Sequence, residues 1–479
     1  MRAEPFWVAG NATTGHATIE VQYPYDGRTV ASVCVPSAEH AENAVAAAYA
    51  ARGVVGATPA YRRAAALSHV AQRLEQRTEE AAQVIVLESG KPIKWARIEV
   101  ARAVSTFRWA AEEARRWSGT VQRLDTDPGG AGRIALVRRF PRGPLLAVTP
   151  FNFPLNLVAH KVAPAIAVGA PVIAKPAPAT PLSSLLLGQL LAETDLPDGA
   201  WSVLPVPNSQ MEQLILDSRL PAISFTGSGP VGWDIRSRVP RKHVTLELGG
   251  NAAAIVCSDW SSERDLEWAA ERIALFANYQ AGQSCISVQR VYVSRSLYDV
   301  FALLLARHVR ALRQGNPNDD STDVGPVINE AAAARIERWI DDAVVAGAKV
   351  LVGGKRTGTS LEPTLLTEVP VDACVLRAEI FGPVLTITPF DDLDSAFAMV
   401  NDSDFGLQAG IFTRDVEIAF RAHRDLEVGG VIVGDVPSYR ADQMPYGGVK
   451  ESGVGREGVR SAMEDLTVEK VLVLSGVAL

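Results

Sequence analysis

Apolar and polar positions along this chain recur with two different periods, and the change from one to the other marks out its elements. Residues 1–36 carry short apolar runs between turn residues, and YPYDGRTVASVCV reads as a hairpin around Asp26-Gly27. From Ala38 the spacing turns helical. Helices are predicted over Ala38–Arg52 behind a capping Ser37, over Pro59–Arg77 and Thr78–Ser89, and over Trp95–Ser118, which carries Phe107, Trp109 and Trp117. Arg133–Phe140 (RIALVRRF) is a strand-like run after a DPGGAG turn, with no obvious partner nearby. An edge of that kind is either covered or used for pairing with another chain.

From Leu145 the pattern alternates. Leu145–Thr149, Pro171–Lys175, Trp201–Leu204 and Ala222–Phe225 read as strands, separated by helices over Leu155–Val168, Leu182–Glu193 and Met211–Leu216, with Pro230–Arg238 following. A second alternating region begins near Asn251 and includes AAAIV, the Glu263–Ala277 helix, VQRVYV, VLTITPF, AGIFT and VGGVIVG. Strands alternating with helices mean βαβ units and parallel sheets, whose ligands sit at the strand C-terminal ends. Gly249-Gly250 is the natural boundary between the two regions. The terminal run TVEKVLVLS is one more strand, able to pair with Arg133–Phe140 of the same or another subunit.

Composition narrows the class. The 479 residues are 47% apolar and 21% charged, an ordinary globular balance with ample core. That length suggests roughly three domain-sized units. A net charge of −7 argues against nucleic acid as a partner, because a phosphate backbone demands a basic face. Four cysteines (Cys34, Cys257, Cys285, Cys374) are no disulfide framework and fit a reducing compartment. Cys34, Cys257 and Cys374 lie in β-like runs and are expected in the core. No CxxC or Cys/His cluster suggests a metal. The N-terminus lacks the apolar core of a signal peptide, and the longest apolar run, Val162–Ala174, is too short to span a bilayer, so a cytoplasmic protein without membrane partners is expected.

Two stretches carry candidate chemistry. Gln280–Ser287 (QAGQSCIS) sets Cys285 among small and polar residues on a helix-to-strand turn. A free thiol is only slightly ionised near neutral pH and becomes a nucleophile when a base, a dipole or amide groups raise its thiolate fraction. The alternative is a buried structural cysteine. Phe225–Gly232 (FTGSGPVG) contains a GxGxxG after a strand and opening a helix, where Gly227 and Ser228 would meet a phosphate. A tight turn that needs glycine is the other reading. Glu247 lies 20 residues past Gly227, in LELGGN. It could be a ribose ligand or a general base for a nucleophile.

Seven blocks stand in one order: TPFNFPLN (149–156), KPAPATP (175–181), FTGSGPVG (225–232), ELGGN (247–251), GQSC (282–285), EIFGPV (379–384) and MPYGGVKESGVGREG (444–458). By these the chain resembles the aldehyde dehydrogenase superfamily over nearly its whole length. The resemblance implies an α/β fold with two Rossmann-like parallel-sheet domains and a small β oligomerisation element. It places an NAD(P)-binding domain at 1–121 and 143–248, a catalytic domain at 249–440, and the oligomerisation element at 122–142 and 459–479, in a homodimer or homotetramer. It implies that Cys285 is the nucleophile forming a thiohemiacetal and then a thioester. Asn152 with the Cys285 backbone N–H would form the oxyanion hole, and Glu247 would activate the hydrolytic water. It implies cofactor contacts from Thr149, Pro150, Phe151, Lys175, Gly227, Ser228, Leu248, Gly249, Glu379 and Phe381.

One departure concerns the cofactor. Three residues past Lys175, where members preferring NAD carry a ribose-binding glutamate, stands Pro178. NAD or NADP, or both, is therefore expected. The substrate tunnel corresponds to Phe153, His160, Ser284, Ile286 and Arg440, with Arg108 expected at the same mouth; packing or tunnel lining is favoured over acid–base work for His160. Either arginine could pair with an anionic group on the substrate or be merely solvated. A small polar or acidic aldehyde follows, of the lactaldehyde, glyceraldehyde or semialdehyde kind. The alternatives are a coenzyme A-acylating dehydrogenase, against which Glu247 counts, a cofactor-independent cysteine esterase, and a non-enzymatic scaffold, which would need none of Asn152, Glu247, Cys285 and Glu379.

Overall fold

The computed structural model describes residues 3–476; residues 1–2 and 477–479, the last three of the expected oligomerisation segment, lie outside the described residues. Two parallel sheets organise the chain. In the first, the strands Trp201–Val203, Val172–Lys175, Leu145–Val148, Ala222–Thr226 and His243–Glu247 lie side by side in that order, all parallel. Antiparallel edges are added by Phe6–Val8 with Asn11–Thr13 on one side and Gly453–Val454 on the other. In the second, Thr364–Thr367, Val384–Phe390, Arg290–Ser294, Ala253–Val256, Gln408–Phe412 and Gly430–Val433 run parallel, with Lys349–Val352 antiparallel at the edge.

The strands of both sheets read as near-continuous apolar runs because helices cover both faces. The helix Asn156–Val168 is buried along its whole length. It packs on Ile93–Arg116, whose buried positions Val100, Ala103, Val104, Phe107, Ala110, Ala111 and Ala114 recur at helical spacing. Phe107 is fully buried, and its truncation to alanine would cost about 3–5 kcal/mol. The buried carboxylate of Glu99, on the same helix, accepts the N–H groups of Leu155 at 2.9 Å and Asn156 at 3.1 Å. Two orphan donors at the start of Asn156–Val168 are thereby satisfied, and the preceding loop 149–155 is held in place.

Arg133–Pro141 has partners on both sides within this chain: Thr120–Arg123, and Thr467–Ser475 in a nine-residue antiparallel register. Thr120–Arg123 escaped notice in the sequence because all four of its residues are exposed and it shows no apolar alternation. The helix Val459–Asp465 does not join this three-stranded sheet. Its Val459 and Met463 are buried in the first core, so within 459–476 the strand Thr467–Ser475 alone extends the sheet. Cys34 and Cys257 are buried as expected, but Cys374 is exposed, at the start of a short helix rather than in a strand.

Parallel register brings the candidate residues to one edge. Val148 pairs with Lys175 and Phe225, and Thr226 with Glu247. Thr149, Lys175, Gly227 and Glu247 therefore leave the sheet together at its carboxyl end, the side on which open α/β sheets bind ligands.

Candidate active site

A cavity of about 860 Å³ opens at that edge and is lined by strand ends of the first sheet together with loops of the second region. This is within the range of small-molecule and cofactor sites. Cys285 lies on its wall, at the end of an unusual turn. The helix Glu263–Asn278 begins at Ser262, whose hydroxyl accepts the Asp265 N–H, and stops at Asn278, whose side chain turns back to the Ala274 carbonyl. Gln280 and Ala281 then both take φ of 54° and Gly282 takes φ of 68°. Left-handed conformations outside glycine cost of order 1–3 kcal/mol each and persist where surroundings over-determine them. Here the Gln280 amide donates to the Asn152 carbonyl, while Gln283 accepts the Ile328 N–H at 2.9 Å. The reversal delivers Ser284, Cys285 and Ile286 to the cavity, and the Ser284 hydroxyl accepts the Tyr279 phenol at 2.7 Å.

Asn152 faces the thiol loop from the other side. Its amide donates to the Gln283 carbonyl at 3.0 Å, which binds the two loops to one another. Burial pushes the Cys285 thiol up to about 12, and its sulfur is 3.0 Å from the Tyr446 hydroxyl. Glu247 is buried, and neither carboxylate oxygen has a partner among the described residues. Burial, reinforced by the negative charge of Glu457, holds its carboxyl well above the usual range.

The expected cofactor contacts fall into a continuous band. Thr149, Pro150, Phe151, Lys175 and Pro178 line the cavity from one loop pair, and Gly227, Ser228, Leu248 and Gly249 from the next. Glu379 and Phe381 line it from the loop leading into the strand Val384–Phe390, with the Phe381 ring edge-on to Phe151 at 5.8 Å. Glu379 accepts the Gly250 N–H at 3.0 Å, and burial raises its carboxyl to about 7. The Lys175 ammonium meets Asn208 at 2.8 Å, and burial lowers it to about 8. A Cβ on Gly249 would lie 2.4 Å from the Glu379 carboxylate, and one on Gly227 2.6 Å from the Phe225 ring. Ser228 caps the helix Gly229–Arg238 without a side-chain bond, so backbone donors at that helix N-terminus face the cavity. A cavity of this size with a buried cation, bare helix donors and glycines pressed close on its wall fits a dinucleotide.

The substrate positions divide. Phe153, Ser284, Ile286 and Arg440 line the cavity. Arg440 is buried, pairs with Glu457 at 3.0 Å, and has no partner for Nε among the described residues. His160 does not line it. It sits beneath Arg440, its Nε2 3.2 Å from Asp442, and burial lowers it to about 4, so it is a packed neutral imidazole. Arg108 is also elsewhere: it is exposed on the outer face of its helix and pairs with Glu75 at 2.6 Å. Arg102, six residues earlier on the same helix, is the arginine that reaches the cavity, bonded to Asp442 at 2.9 Å. Six residues are nearly two helical turns, but they end about 120° away from the starting face.

Sequence reasoning also passed over Tyr446 and Glu457 as individual residues, although both lie in the block MPYGGVKESGVGREG. Glu457 is buried and bonded to Lys161 at 2.8 Å and to Arg440; these two cations, against the cost of burial, keep it ionised. Nothing in spacing alone marks a carboxylate whose partners lie 296 and 17 residues away. Among the described residues, no group of three or more His, Cys, Asp or Glu could hold a metal ion, and no helix is long and apolar enough to cross a membrane.

Known proteins bear on this geometry directly. A profile of the aldehyde dehydrogenase family matches residues 7–472. The chain is 42% identical over 470 residues to a 3-sulfolactaldehyde dehydrogenase of Priestia aryabhattai, covering 98% of this chain and 97% of that protein. It superposes on the crystal structure of aldehyde dehydrogenase 21 from Physcomitrella patens, in complex with the reaction product succinate, with a TM-score of 0.97 and 44% identity over 99% of both chains. It also superposes on an NADP-dependent glyceraldehyde-3-phosphate dehydrogenase from Bacillus halodurans, complexed with NADP, with a TM-score of 0.95 and 35% identity over 100% of both. The chain belongs to the aldehyde dehydrogenase family and is an NAD(P)-dependent oxidoreductase acting on the aldehyde group.

Proposed function

We propose that this enzyme oxidises a small aldehyde carrying an anionic group, using NADP as well as NAD, as a homo-oligomer assembled through its three-stranded sheet. The observation that carries the substrate reading is Arg440, whose side chain is buried on the cavity wall and whose Nε is unpartnered among the described residues. An arginine presents several donors in a fixed fork suited to carboxylate, sulfonate or phosphate, and Arg102 lies on the same wall. The relatives whose names include sulfolactaldehyde, and the neighbour that holds succinate, are consistent with a small anionic chain. For the cofactor, Pro178 leaves no carboxylate at its position to repel a 2′-phosphate, and the Lys175 ammonium stands beside it.

In this reading the Cys285 sulfur attacks the aldehyde carbon. The Asn152 amide and the Cys285 N–H receive the oxygen where negative charge develops. Bound NAD(P) supplies the hydride acceptor. Thr149, Pro150, Phe151, Lys175, Gly227, Ser228, Leu248, Gly249, Glu379 and Phe381, which line the cavity, would hold it. Glu247 takes a proton from the water that attacks the thioester, and its unpartnered oxygens leave it free to do so. The dinucleotide-binding part is 1–121 with 143–248 and the catalytic part 249–440.

A panel of aldehydes tests this, with NAD and NADP in parallel and a coenzyme A arm. Arg440→Leu is expected to lower kcat/KM for sulfonated or carboxylated aldehydes by about 100-fold more than for a neutral aldehyde of equal length, since a lost charged hydrogen bond costs about 2–3 kcal/mol. Unchanged kcat/KM for the anionic aldehydes sinks the substrate reading; a strong preference for NAD sinks dual cofactor use.

A further inference from the structure

Sγ of Cys285 has a single hydrogen-bonding neighbour among the described residues, and it is neither a histidine nor a cation. It is the hydroxyl of Tyr446, 3.0 Å away. Tyr446 is 4% exposed, and its hydroxyl meets no other group among the described residues. Its backbone is clamped on both sides, its N–H donating to the Glu457 carbonyl at 3.0 Å and its carbonyl accepting the Glu457 N–H at 2.7 Å. The Arg440 guanidinium lies over its ring, 3.8 Å from the centroid. The phenol is thus aimed at the sulfur by the backbone and pressed there by a cation.

We propose that Tyr446 is a further catalytic residue of this enzyme: its O–H donates to the Cys285 thiolate and sets the fraction of the nucleophile that is ionised, and Arg440 strengthens it as a donor. This rests on the reading of Cys285 as the nucleophile. When the thiol loses its proton to solvent, the phenol rotates its own hydrogen toward sulfur. The phenol keeps that proton, so the net change is S–H to S⁻ with one charge-assisted bond gained. Bonds of this class are roughly twice as strong as neutral ones. The need is plain from the surroundings: burial disfavours the thiolate, and no histidine, lysine or arginine among the described residues bonds to the sulfur to offset it. A guanidinium over the face of the ring draws on its electron density and makes the O–H the better donor. Arg440 then has two duties, facing the substrate with its edge and the nucleophile's partner with its plane.

The test uses the full-length enzyme and follows alkylation of the Cys285 peptide by iodoacetamide as a function of pH, read by mass spectrometry so that the exposed Cys374 does not contribute. Tyr446→Phe keeps the ring and its cation contact and removes only the O–H. Its apparent thiol pKa is expected to rise by about one unit or more, slowing alkylation near neutral pH about tenfold, in keeping with a hydrogen bond to a charged group. kcat/KM should fall in parallel while KM for the cofactor stays put. 3-Fluorotyrosine placed at 446, isosteric but a more acidic phenol, should move the thiol pKa the other way, and it carries the test if Tyr446→Phe fails to fold. A pH profile superimposing on the wild type, or faster alkylation in Tyr446→Phe, overturns the proposal, the latter meaning that the phenol only restrains a resting thiol. Turnover retained in Cys285→Ser would instead overturn the underlying reading of the nucleophile.

Discussion

Glu247 and Glu457 are buried carboxylates in one electrostatic field, and their neighbours drive them to opposite protonation states. Glu457 is gripped by Lys161 and Arg440 and stays ionised. Glu247, with no bonding partner among the described residues and the Glu457 charge nearby, is pushed toward its neutral form. Paired carboxylates with environments that separate their affinities for protons are a recurrent way of assigning one of them to acid–base work.

That asymmetry makes Glu247 the testable base. Glu247→Gln is expected to leave the first turnover intact and to slow hydrolysis by about 10²–10⁴-fold. Stopped-flow absorbance should show a burst of NAD(P)H matching the site concentration, then a slow steady state. Since the water-activating form is the carboxylate and its proton affinity is raised, hydrolysis in the wild type should climb with pH above the ordinary carboxylate range. Steady turnover in the variant equal to the wild type removes Glu247 from the role.

Gly282 tests the turn that presents the thiol. It takes φ of 68°, and a Cβ there would lie 2.0 Å from the backbone oxygen of Gly382. Backbone cannot yield as a flexible side chain can. Gly282→Ala should displace the Cys285 loop, cutting kcat by at least about 100-fold through misplacement of the sulfur. The melting temperature should fall by only a few degrees, as for a loss of about 1–3 kcal/mol in local strain. Normal kcat would show that the loop tolerates another path.

His160 gives a stability signature in acid. Its folded pKa is lowered to about 4 from 6.5, by burial first and the Arg440 charge second. Between those values the unfolded chain binds more protons than the folded one, so this contribution is complete above about pH 6.5 and is lost as pH falls toward about 4. Asp442, held near 2 although burial opposes it, by His160 and by Arg102, remains charged throughout that window. The urea midpoint should therefore drop on acidification from about pH 7 to about pH 5, and His160→Gln should flatten the drop. An unchanged slope in the variant would assign the effect to other groups.

Assembly through the terminal sheet is checked by light scattering. Val471, Leu472, Val473 and Leu474 are exposed on the edge strand, as is Val121 on the opposite one. An exposed apolar edge strand is a template for pairing with another chain. Val471→Lys with Val473→Lys should convert the proposed homo-oligomer to smaller species while the melting profile of the subunit persists. A wild type that is monomeric at micromolar concentration contradicts the reading.

The sequence by itself determined the parallel-strand architecture, because buried strands such as Leu145–Val148 and Ala253–Val256 are apolar throughout and alternate with helices of clear period. The resemblance its blocks carry also pointed to Cys285, Glu247, Asn152 and Glu379, and all four line the cavity. Only the tertiary structure decided matters that hang on direction. Arg108 and Arg102 share a helix, and which of them meets the cavity depends on how that helix is rotated against its neighbours. His160 follows Phe153 closely in the chain, yet it points beneath the floor because Asp442, 282 residues on, draws it there. The pairing of Tyr446 with Cys285, and of Glu457 with Lys161 and Arg440, spans separations for which local periodicity carries no signal. Those contacts arise only when distant segments pack together, and their energies depend on a burial that no single segment possesses alone.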